Sequence, residues 1–175
     1  MIYYYTWTSP LGDITLRANA HALTGLFFSG QKYFPTFSAA WQSAPNHAPL
    51  RQARDEISDF FAGARRHFSV PLEMDGSAFQ QQVWRALADI PYGEVVSYGE
   101  IARRLGMGRE HARAVGSATG RNPISIIVPC HRVLSSVGQL TGYAGGLDRK
   151  RALLALEGGG PIHNRKSSAN LELAL

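Results

Sequence analysis

The sequence predicts an α+β chain whose first part is a small sheet and whose second part is a helical unit. Short β-rich segments separated by turn residues dominate residues 1–75, whereas capped amphipathic helices dominate residues 76–160. Met74-Asp75-Gly76 has the composition of a linker between them. We therefore predict two domains with these bounds, followed by a loose tail at 161–175.

Three apolar or alternating segments predict the sheet of the first domain. Ile2–Thr8 is aromatic and β-rich, Asp13–Ala18 alternates, and Ala22–Phe28 is again apolar. Ser9-Pro10-Leu11-Gly12 forms a turn signal between the first two. This order predicts an antiparallel meander.

The rest of the first domain is predicted to hold one helix. Gln31–Pro49 lacks periodicity and is interpreted as a loop. Leu50–Ala62 has an apolar face and a glycine stop after it, which predicts a helix. Phe68–Leu72 is predicted as a short strand that returns to the sheet. The residues predicted to face inward from the helix are Ala53, Ile57, Phe60 and Phe61.

Two capping boxes predict the first helices of the second domain. Ser77 with Gln80, and Ser97 with Glu100, have the spacing in which two side chains satisfy the free N–H groups of a helix start. A glycine turn at 106–108 separates the second of these helices from a third at Arg109–Thr119. Two short helices around such a turn predict a helix-turn-helix.

The second domain is predicted to end in a strand and a helix. Ile124–Val128 is a strand-like apolar run. Leu147–Leu156 is an apolar helical segment, and glycines at 158–160 close it.

The basic excess of the chain is concentrated in its second part. The net charge is +5; residues 1–75 carry six Lys/Arg and six Asp/Glu, whereas residues 76–160 carry ten against six, a net +4. A basic surface suits a polyanion such as DNA, although ordinary solubilising charge gives the same count. No apolar run is long enough to span a bilayer, so no membrane partner is expected.

Cys130 is the only cysteine, and it lies in the run Ile126-Ile127-Val128-Pro129-Cys130-His131-Arg132-Val133. A single cysteine cannot form an internal disulfide or a four-thiolate zinc site. It is therefore an inert core thiol or a nucleophile, and the adjacent imidazole favours the nucleophile. An unpaired thiol also predicts a reducing compartment, the cytoplasm.

The candidate partners of the thiol are a base and an acid. His131 is adjacent in sequence and could act through a turn or a bridging water. Glu157, at the end of a largely apolar helix face, could orient that imidazole, although a solvated helix end is an equally good interpretation.

The helix after the glycine turn has features of a DNA-recognition helix. Arg113 and Arg121 provide positive charge, while Ala114 and Ser117 keep the helix slim enough to enter a groove. A solvated basic face would have the same composition.

Flanking polar and glycine residues complete the candidate site. Asn122 precedes a proline, which indicates either a plain turn or an amide that ties two loops together. Tyr143-Ala144-Gly145-Gly146 permits close backbone approach to a flat ligand. Tyr98 is either a core aromatic or a hydroxyl donor.

These segments together resemble the methylated-DNA–protein-cysteine methyltransferases, also called O6-alkylguanine-DNA alkyltransferases. The similarity covers about residues 77–157 and has the family's order and approximate spacing. The segments that carry it are Phe79–Trp84, Ile90–Glu94, Ser97-Tyr98, Ala112–Gly116, Asn122-Pro123, Pro129–Val133, Tyr143–Gly146 and Leu154–Glu157.

The resemblance implies a ribonuclease-H-like first domain and a winged-helix second domain. It also implies that the protein acts as a monomer on double-stranded DNA containing alkylated guanine, with no cofactor. Some members of the family bind a structural zinc in the first domain through cysteines and histidines, but this chain has no second cysteine, so no metal site is expected. Cys130 would accept the alkyl group irreversibly after His131, oriented by Glu157, deprotonates it through a water. Tyr98 would assist the leaving guanine, and Arg113 would fill the gap left by the flipped nucleotide.

The resemblance assigns the remaining residues to binding and bracing. The carbonyls of Cys130 and Val133 would bind the guanine amine, and Tyr143 and Ala144 would line the pocket. Asn122 would brace the helix-turn-helix against the active-site loop. Two other interpretations remain: a lesion-binding relative without catalysis, a class that lacks the cysteine, and an unrelated thiol hydrolase that turns over repeatedly.

Overall fold

The computed structural model describes residues 1–158, so the predicted tail lies outside the described residues. Contacts divide the chain into two compact units. The first comprises Met1–Asp75 with Pro123–Ser125, and the second comprises Gly76–Asn122 with the residues from Ile126 on. Within residues 1–158, no helix combines the length and the apolar character needed to cross a membrane.

The first unit contains a four-stranded sheet in the order β3-β2-β1-β4. The strands are β1 (Tyr3–Ser9), β2 (Gly12–Ala18), β3 (Leu23–Phe28) and β4 (Gln42–Ser43). The first three pair antiparallel, which confirms the predicted meander. The two-residue β4 lies within the segment predicted as a loop and pairs parallel with β1.

One helix, α1 (Ala48–Phe61), packs against this sheet. It begins earlier than predicted because Pro49 fits the first turn, where a helix has no use for the missing N–H. Its inward face also buries Glu56, whose carboxylate accepts hydrogen bonds from the backbone N–H groups of Ser69 and Val70 at 2.7 and 3.1 Å. The fully buried apolar side chains of this unit include Ile14, Leu16, Leu26, Phe28, Ala53, Ile57 and Phe60.

The predicted strand Phe68–Leu72 is wrong, because this segment makes only a single bridge to β3. Leu23 donates its N–H to the Pro71 carbonyl at 2.8 Å, and Glu73 donates to the Leu23 carbonyl at 2.9 Å. Pro71 has no N–H to donate, so a regular ladder cannot continue through it.

The second unit contains four helices and a two-stranded parallel sheet within its described part. Its elements are α2 (Ala78–Ala88), β5 (Val96–Ser97), α3 (Tyr98–Arg104), α4 (Ala112–Gly120), β6 (Val133–Leu134) and α5 (Leu147–Leu156). The predicted capping box at α2 is fully formed between Ser77 and Gln80. At α3 only the Ser97 half is formed, because the Glu100 carboxylate pairs with arginines of its own helix.

Helices α3 and α4 form the predicted helix-turn-helix, although α4 is shorter than predicted. Arg109–His111 is a 3₁₀ turn, and α4 begins after it. The inner face of α4 buries Val115, Ala118 and Thr119. The Trp84 indole of α2 donates a hydrogen bond to the Ala118 carbonyl at 2.9 Å, which fixes the last turn of α4.

The predicted strand Ile124–Val128 is also wrong, since most of it forms a buried turn. Ile124 belongs to the first unit and makes one bridge to Leu26 there. Ile126 has φ 71°, a left-handed conformation that a β-branched residue adopts only at an energetic cost, of order 1–3 kcal/mol. The side chains of Ile124, Ile126 and Val128 are buried, but a chain with this φ cannot continue an extended strand.

Candidate active site

Cys130 begins a 3₁₀ turn that immediately follows Pro129. Pro129 has φ −83° and ψ 64°, and the Cys130 N–H donates to the Val128 carbonyl at 2.8 Å. This is the geometry of an inverse γ-turn, which folds the chain tightly in front of the thiol. Cys130 is only 5% exposed, so a reaction partner has access to only a small part of this residue.

Asn122 holds the thiol segment from the end of α4. Its side-chain N–H donates to the Val128 carbonyl at 2.8 Å, and the same side chain hydrogen-bonds to the thiol of Cys130. Burial raises the pKa of Cys130, while the Asn122 hydrogen bond and the charge of Lys150 oppose that rise. Asn122 therefore connects the end of the helix-turn-helix to the cysteine turn by hydrogen bonds.

His131 and Glu157 are in direct contact. Nε2 of His131 donates to Oε2 of Glu157 at 2.7 Å. Glu157 follows α5 as its C-cap residue, and its side chain points into the unit instead of into solvent. The interpretation of Glu157 as a solvated helix end is therefore wrong.

Arg132 completes this cluster, although the sequence analysis gave it no role. Its Nε and Nη2 atoms donate to the two oxygens of Glu157 at 2.8 and 2.9 Å, and its Nη1 donates to the Ile90 carbonyl at 2.6 Å. The Gly93 N–H adds a longer hydrogen bond to Glu157 at 3.3 Å. Arg132 is a charged residue next to an apolar run, and such a residue needs an internal partner if it is buried. Its position was therefore the available signal in the sequence that it belongs to the site.

The electrostatics of the cluster keep Glu157 ionised and His131 neutral. Burial alone raises the pKa of Glu157, but hydrogen bonds from His131 and Arg132 outweigh it and lower the pKa to about 2. Burial lowers the pKa of His131. The hydrogen bond and charge of Glu157 raise this pKa, whereas the positive charges of Arg132 and Lys150 lower it further. Within the described part of the chain, Nδ1 of His131 is buried and has no hydrogen-bond partner.

Tyr98 is the first residue of α3, and its hydroxyl donates to the Thr141 carbonyl at 3.4 Å. Its ring lies under α4, where a Cβ on Gly116 would be 3.7 Å from a ring carbon. Burial raises the pKa of Tyr98, so its phenol keeps its proton. The structure thus makes Tyr98 a half-buried hydroxyl donor.

The four residues predicted to contact DNA share the solvent-exposed side of α4 and its end. Arg113, Ser117 and Arg121 follow a spacing of four residues, and Ala114 lies beside the first of them; all are exposed. A groove of about 930 Å³ runs along this region. The residues lining it include Tyr98, Arg103, Arg109, Arg113, Ser135 and Thr141.

The predicted pocket residues are not among the described residues that line this groove. Val133 is buried in β6, and Gly145 is also buried, with its carbonyl accepting from Arg149 at 3.1 Å. Tyr143 and Ala144 are half-buried in the loop before α5, where the Tyr143 carbonyl accepts from the Gly146 N–H at 2.9 Å. The groove reaches this loop only at Thr141 and Gly142.

Lys150 is a second buried charge that the sequence analysis missed. Its Nζ atom donates to the carbonyls of Val133 and Thr141 at 2.6 and 2.9 Å. Residues 150, 153, 154 and 157 have the i, i+3, i+4, i+7 spacing of one helix face. That spacing puts Lys150 on the same side of α5 as Glu157, which was the available signal of its position, although not of its hydrogen bonds.

A thiol beside an imidazole–carboxylate pair, in the same unit as a helix-turn-helix with an exposed basic face, is the arrangement expected of a DNA-binding protein with a cysteine nucleophile. Residues 2–74 match the 6-O-methylguanine DNA methyltransferase ribonuclease-like domain, and residues 78–159 match the DNA binding domain of the same family. The chain belongs to the 6-O-methylguanine DNA methyltransferase family.

Curated proteins and solved structures agree with this assignment. A methylated-DNA–protein-cysteine methyltransferase of Mycobacterium bovis is 50% identical over 157 residues, which is 90% of this chain and 93% of the relative. One from Methanosarcina acetivorans is 45% identical, covering 90% of this chain and 99% of the relative. The crystal structure of Mycobacterium tuberculosis OGT in complex with DNA matches with a TM-score of 0.84 and 48% identity, covering 90% of this chain and 93% of that chain.

Proposed function

We propose that this protein repairs DNA by transferring an alkyl group, typically methyl, from O6 of guanine to the thiol of Cys130. The observation that carries the proposal is the His131–Glu157 pair next to the only thiol of the chain. O4 of thymine offers the same alkyl–oxygen chemistry and is a second substrate to test. The product is a thioether, which no group of the site can cleave, so each molecule reacts once.

His131 accepts the thiol proton in this proposal. Nε2 carries the hydrogen that it shares with Glu157, so the free lone pair of the ring is on Nδ1. The side chains of Cys130 and His131 are neighbours in sequence and need not be in direct contact. A water molecule between Sγ of Cys130 and Nδ1 of His131 would then relay the proton. The Cys–His–acid arrangement supplies a nucleophile from a buried thiol whose pKa is raised.

Tyr98 assists the departure of guanine. As the S–C bond forms, the O6–C bond breaks and its electron pair passes to the base, which needs a proton. The Tyr98 phenol is a protonated donor at neutral pH and lines the groove. In the net reaction the thiol loses its proton, the guanine gains one, and the methyl group moves to sulfur.

The basic face of α4 binds the duplex and extrudes the damaged base. Extrusion costs roughly a few kcal/mol, and an inserted Arg113 side chain with phosphate contacts from Arg121 offsets that cost. Ala114 and Ser117 let the helix approach the groove closely. The extruded guanine would meet the carbonyls of Cys130 and Val133 and the loop at 143–145.

We further propose that the protein acts as a monomer in the cytoplasm. All candidate site residues lie in the second unit of one chain, so a second copy adds no group to the site. A reactive thiol without a disulfide partner persists in a reducing compartment.

An intact-mass experiment tests the proposal. The protein is mixed with duplex DNA carrying one O6-methylguanine, and the expected result is one added methyl group on the Cys130 peptide, saturating at one per protein. Cys130→Ser is the matched control and should bind the lesion without gaining mass. A folded protein with a free thiol and no adduct would overturn the proposal; in that case, retained lesion affinity indicates a lesion binder, and repeated turnover of a thiol-ester substrate indicates a hydrolase.

A further inference from the structure

Lys150 is buried in α5 and directs its ammonium at three backbone carbonyls. Nζ donates to Val133 at 2.6 Å, to Thr141 at 2.9 Å and to Gly142 at 3.3 Å. These acceptors match the three donors of an ammonium group. Within residues 1–158, no carboxylate forms an ion pair with it, so these three hydrogen bonds are the direct contacts that compensate its burial.

The three carbonyls belong to two segments of the candidate site. Val133 directly follows the Cys130–Arg132 turn and forms β6. The Thr141 carbonyl is also the acceptor of the Tyr98 hydroxyl. A single ammonium therefore connects the end of the thiol segment to the group that orients the phenol.

We propose that Lys150 is a positioning residue for the transfer reaction. Its ammonium fixes the Thr141–Gly142 segment relative to the Cys130 turn, and this segment in turn holds Tyr98. The positive charge of Lys150 also stabilises the thiolate of Cys130. The alkyl transfer in this proposal rests on the proposed function, whereas the positioning by Lys150 and its charge coupling to Cys130 do not. The carbonyl of Val133 keeps a second lone pair, so it can still accept from a bound base.

The charges around Lys150 support an effect on the thiol. The titratable groups that interact with it are Cys130 and His131, while Tyr98 shares its Thr141 acceptor. Glu157 lies on the same helix face, but its oxygens are bonded to His131 and Arg132. Burial lowers the pKa of Lys150 to about 8, and the Cys130 thiolate opposes that shift. Lys150 is thus mainly charged at neutral pH.

The first test compares Lys150→Met with Lys32→Met, which removes the same charge from an exposed position of the first unit. Iodoacetamide reacts with the only cysteine of the chain, so its rate measured by intact mass across pH 7–9 reports the thiolate of Cys130. Because Lys150→Met removes a charge that favours the thiolate, we expect a severalfold slower reaction for this variant at pH 7.5 and no change for Lys32→Met.

Lys150→Arg should recover part of the thiol reactivity, because it restores the charge. Methyl transfer by Lys150→Met should fall further than its iodoacetamide reactivity, since Tyr98 is also displaced. Equal iodoacetamide rates for Lys150→Met and the unaltered chain would overturn the proposal. If the unaltered chain fails to transfer methyl at all, the proposed function fails while this thiol measurement still decides the role of Lys150.

A second test does not require Lys150→Met to fold. The chain contains three lysines, at 32, 150 and 166. With ¹³Cε-labelled lysine, the Lys150 signal should titrate near pH 8, well below the ordinary lysine value of 10.5, and Lys32→Met assists the assignment. Cys130→Ser should lower the Lys150 midpoint further, because the thiolate raises it. A midpoint that does not change in Cys130→Ser would show that the two groups are not coupled and would overturn the proposal.

Discussion

Nε2 of His131 lies 2.7 Å from Oε2 of Glu157, and the two side chains are 0% and 1% exposed. An ionised carboxylate only accepts hydrogen bonds, so the proton of the neutral imidazole must be on Nε2. Glu157 thereby leaves Nδ1 as the basic atom of His131. The same carboxylate holds Arg132 by two hydrogen bonds, so one residue fixes both the tautomer and the geometry of the turn.

Glu157→Gln should strongly destabilise the second unit. The amide would present N–H donors to Arg132 or His131 and would leave the Arg132 charge buried without a counter-ion. Breaking a buried pair in this way typically costs about 3–5 kcal/mol. Urea unfolding measures the change, and Glu94→Gln, an exposed residue of the same unit, is the control. A loss below about 1 kcal/mol would contradict the role given to this carboxylate.

Stability should decline at low pH through the same residue. The pKa of Glu157 is about 2 in the folded protein and near 4.5 for an unperturbed glutamate. Between these values the unfolded chain binds more protons, so the stabilising contribution is complete above about pH 4.5 and is lost as pH falls towards 2. Melting temperatures across pH 2–6 should show this decline, and Glu157→Gln should remove part of it. An identical acid dependence in both proteins would refute the assignment.

Tyr98→Phe should separate methyl transfer from thiol reactivity. Loss of the phenol removes the proposed donor to guanine, and general acid catalysis typically contributes about 10²–10⁴-fold to a rate. Single-turnover transfer from methylguanine duplex should therefore slow by roughly 10²-fold, while the iodoacetamide rate of Cys130 stays within about twofold.

Tyr92→Phe is a matched control for that experiment. Its hydroxyl donates to the Leu156 carbonyl at 3.3 Å, a hydrogen bond similar to that of Tyr98 and also half-buried. Its transfer rate should remain close to that of the unaltered chain. Equal slowing in both variants would mean that the loss reflects packing rather than proton donation.

Arg113→Ala should impair repair of duplex DNA more than repair of a single strand. An inserted side chain compensates for the unpairing of the damaged base, and a single-stranded oligonucleotide has no such pairing to lose. We expect transfer on the duplex to slow at least tenfold, with a smaller effect on the single strand. Arg85→Ala, an exposed arginine on α2, controls for charge. Equal effects on both substrates would indicate a simple phosphate contact.

Alkylation of Cys130 should destabilise the protein. The thiol is almost fully buried and hydrogen-bonded to Asn122, so an added methyl group must displace packed neighbours. Overpacking costs about 1–3 kcal/mol, which corresponds to a melting temperature lowered by about 2–12 °C. Thermal melts before and after reaction measure the shift, with Cys130→Ser incubated alike as the control. Unchanged melting would show that the site has room for the methyl group.

Local signals predicted most elements of the fold. The capping box at Ser77 and the apolar pattern of α5 gave correct helices because their determinants lie within a few residues. The segments at 68–72 and 124–128 were predicted wrongly as strands, since apolar composition indicates burial without specifying the backbone angles. Pro71 and the left-handed Ile126 decide those angles.

The candidate site was predictable only in part. Cys130 and His131 stand out in the sequence, but the contacts of Glu157 join residues that are 25 and 26 positions apart. Charged residues are normally exposed, so composition alone assigned Arg132 and Lys150 no place in the interior. Their burial follows from tertiary hydrogen bonds to carbonyls and a carboxylate, which a single sequence does not display.

Trp84 has a practical consequence of its own. It is the single tryptophan of the second unit, since the others are Trp7 and Trp41 in the first. Its indole is hydrogen-bonded to the last turn of α4, the helix that carries the basic face. A chain with Trp7 and Trp41 replaced by phenylalanine would carry a native fluorophore whose emission follows that turn, and stopped-flow fluorescence could then time DNA engagement without an added label.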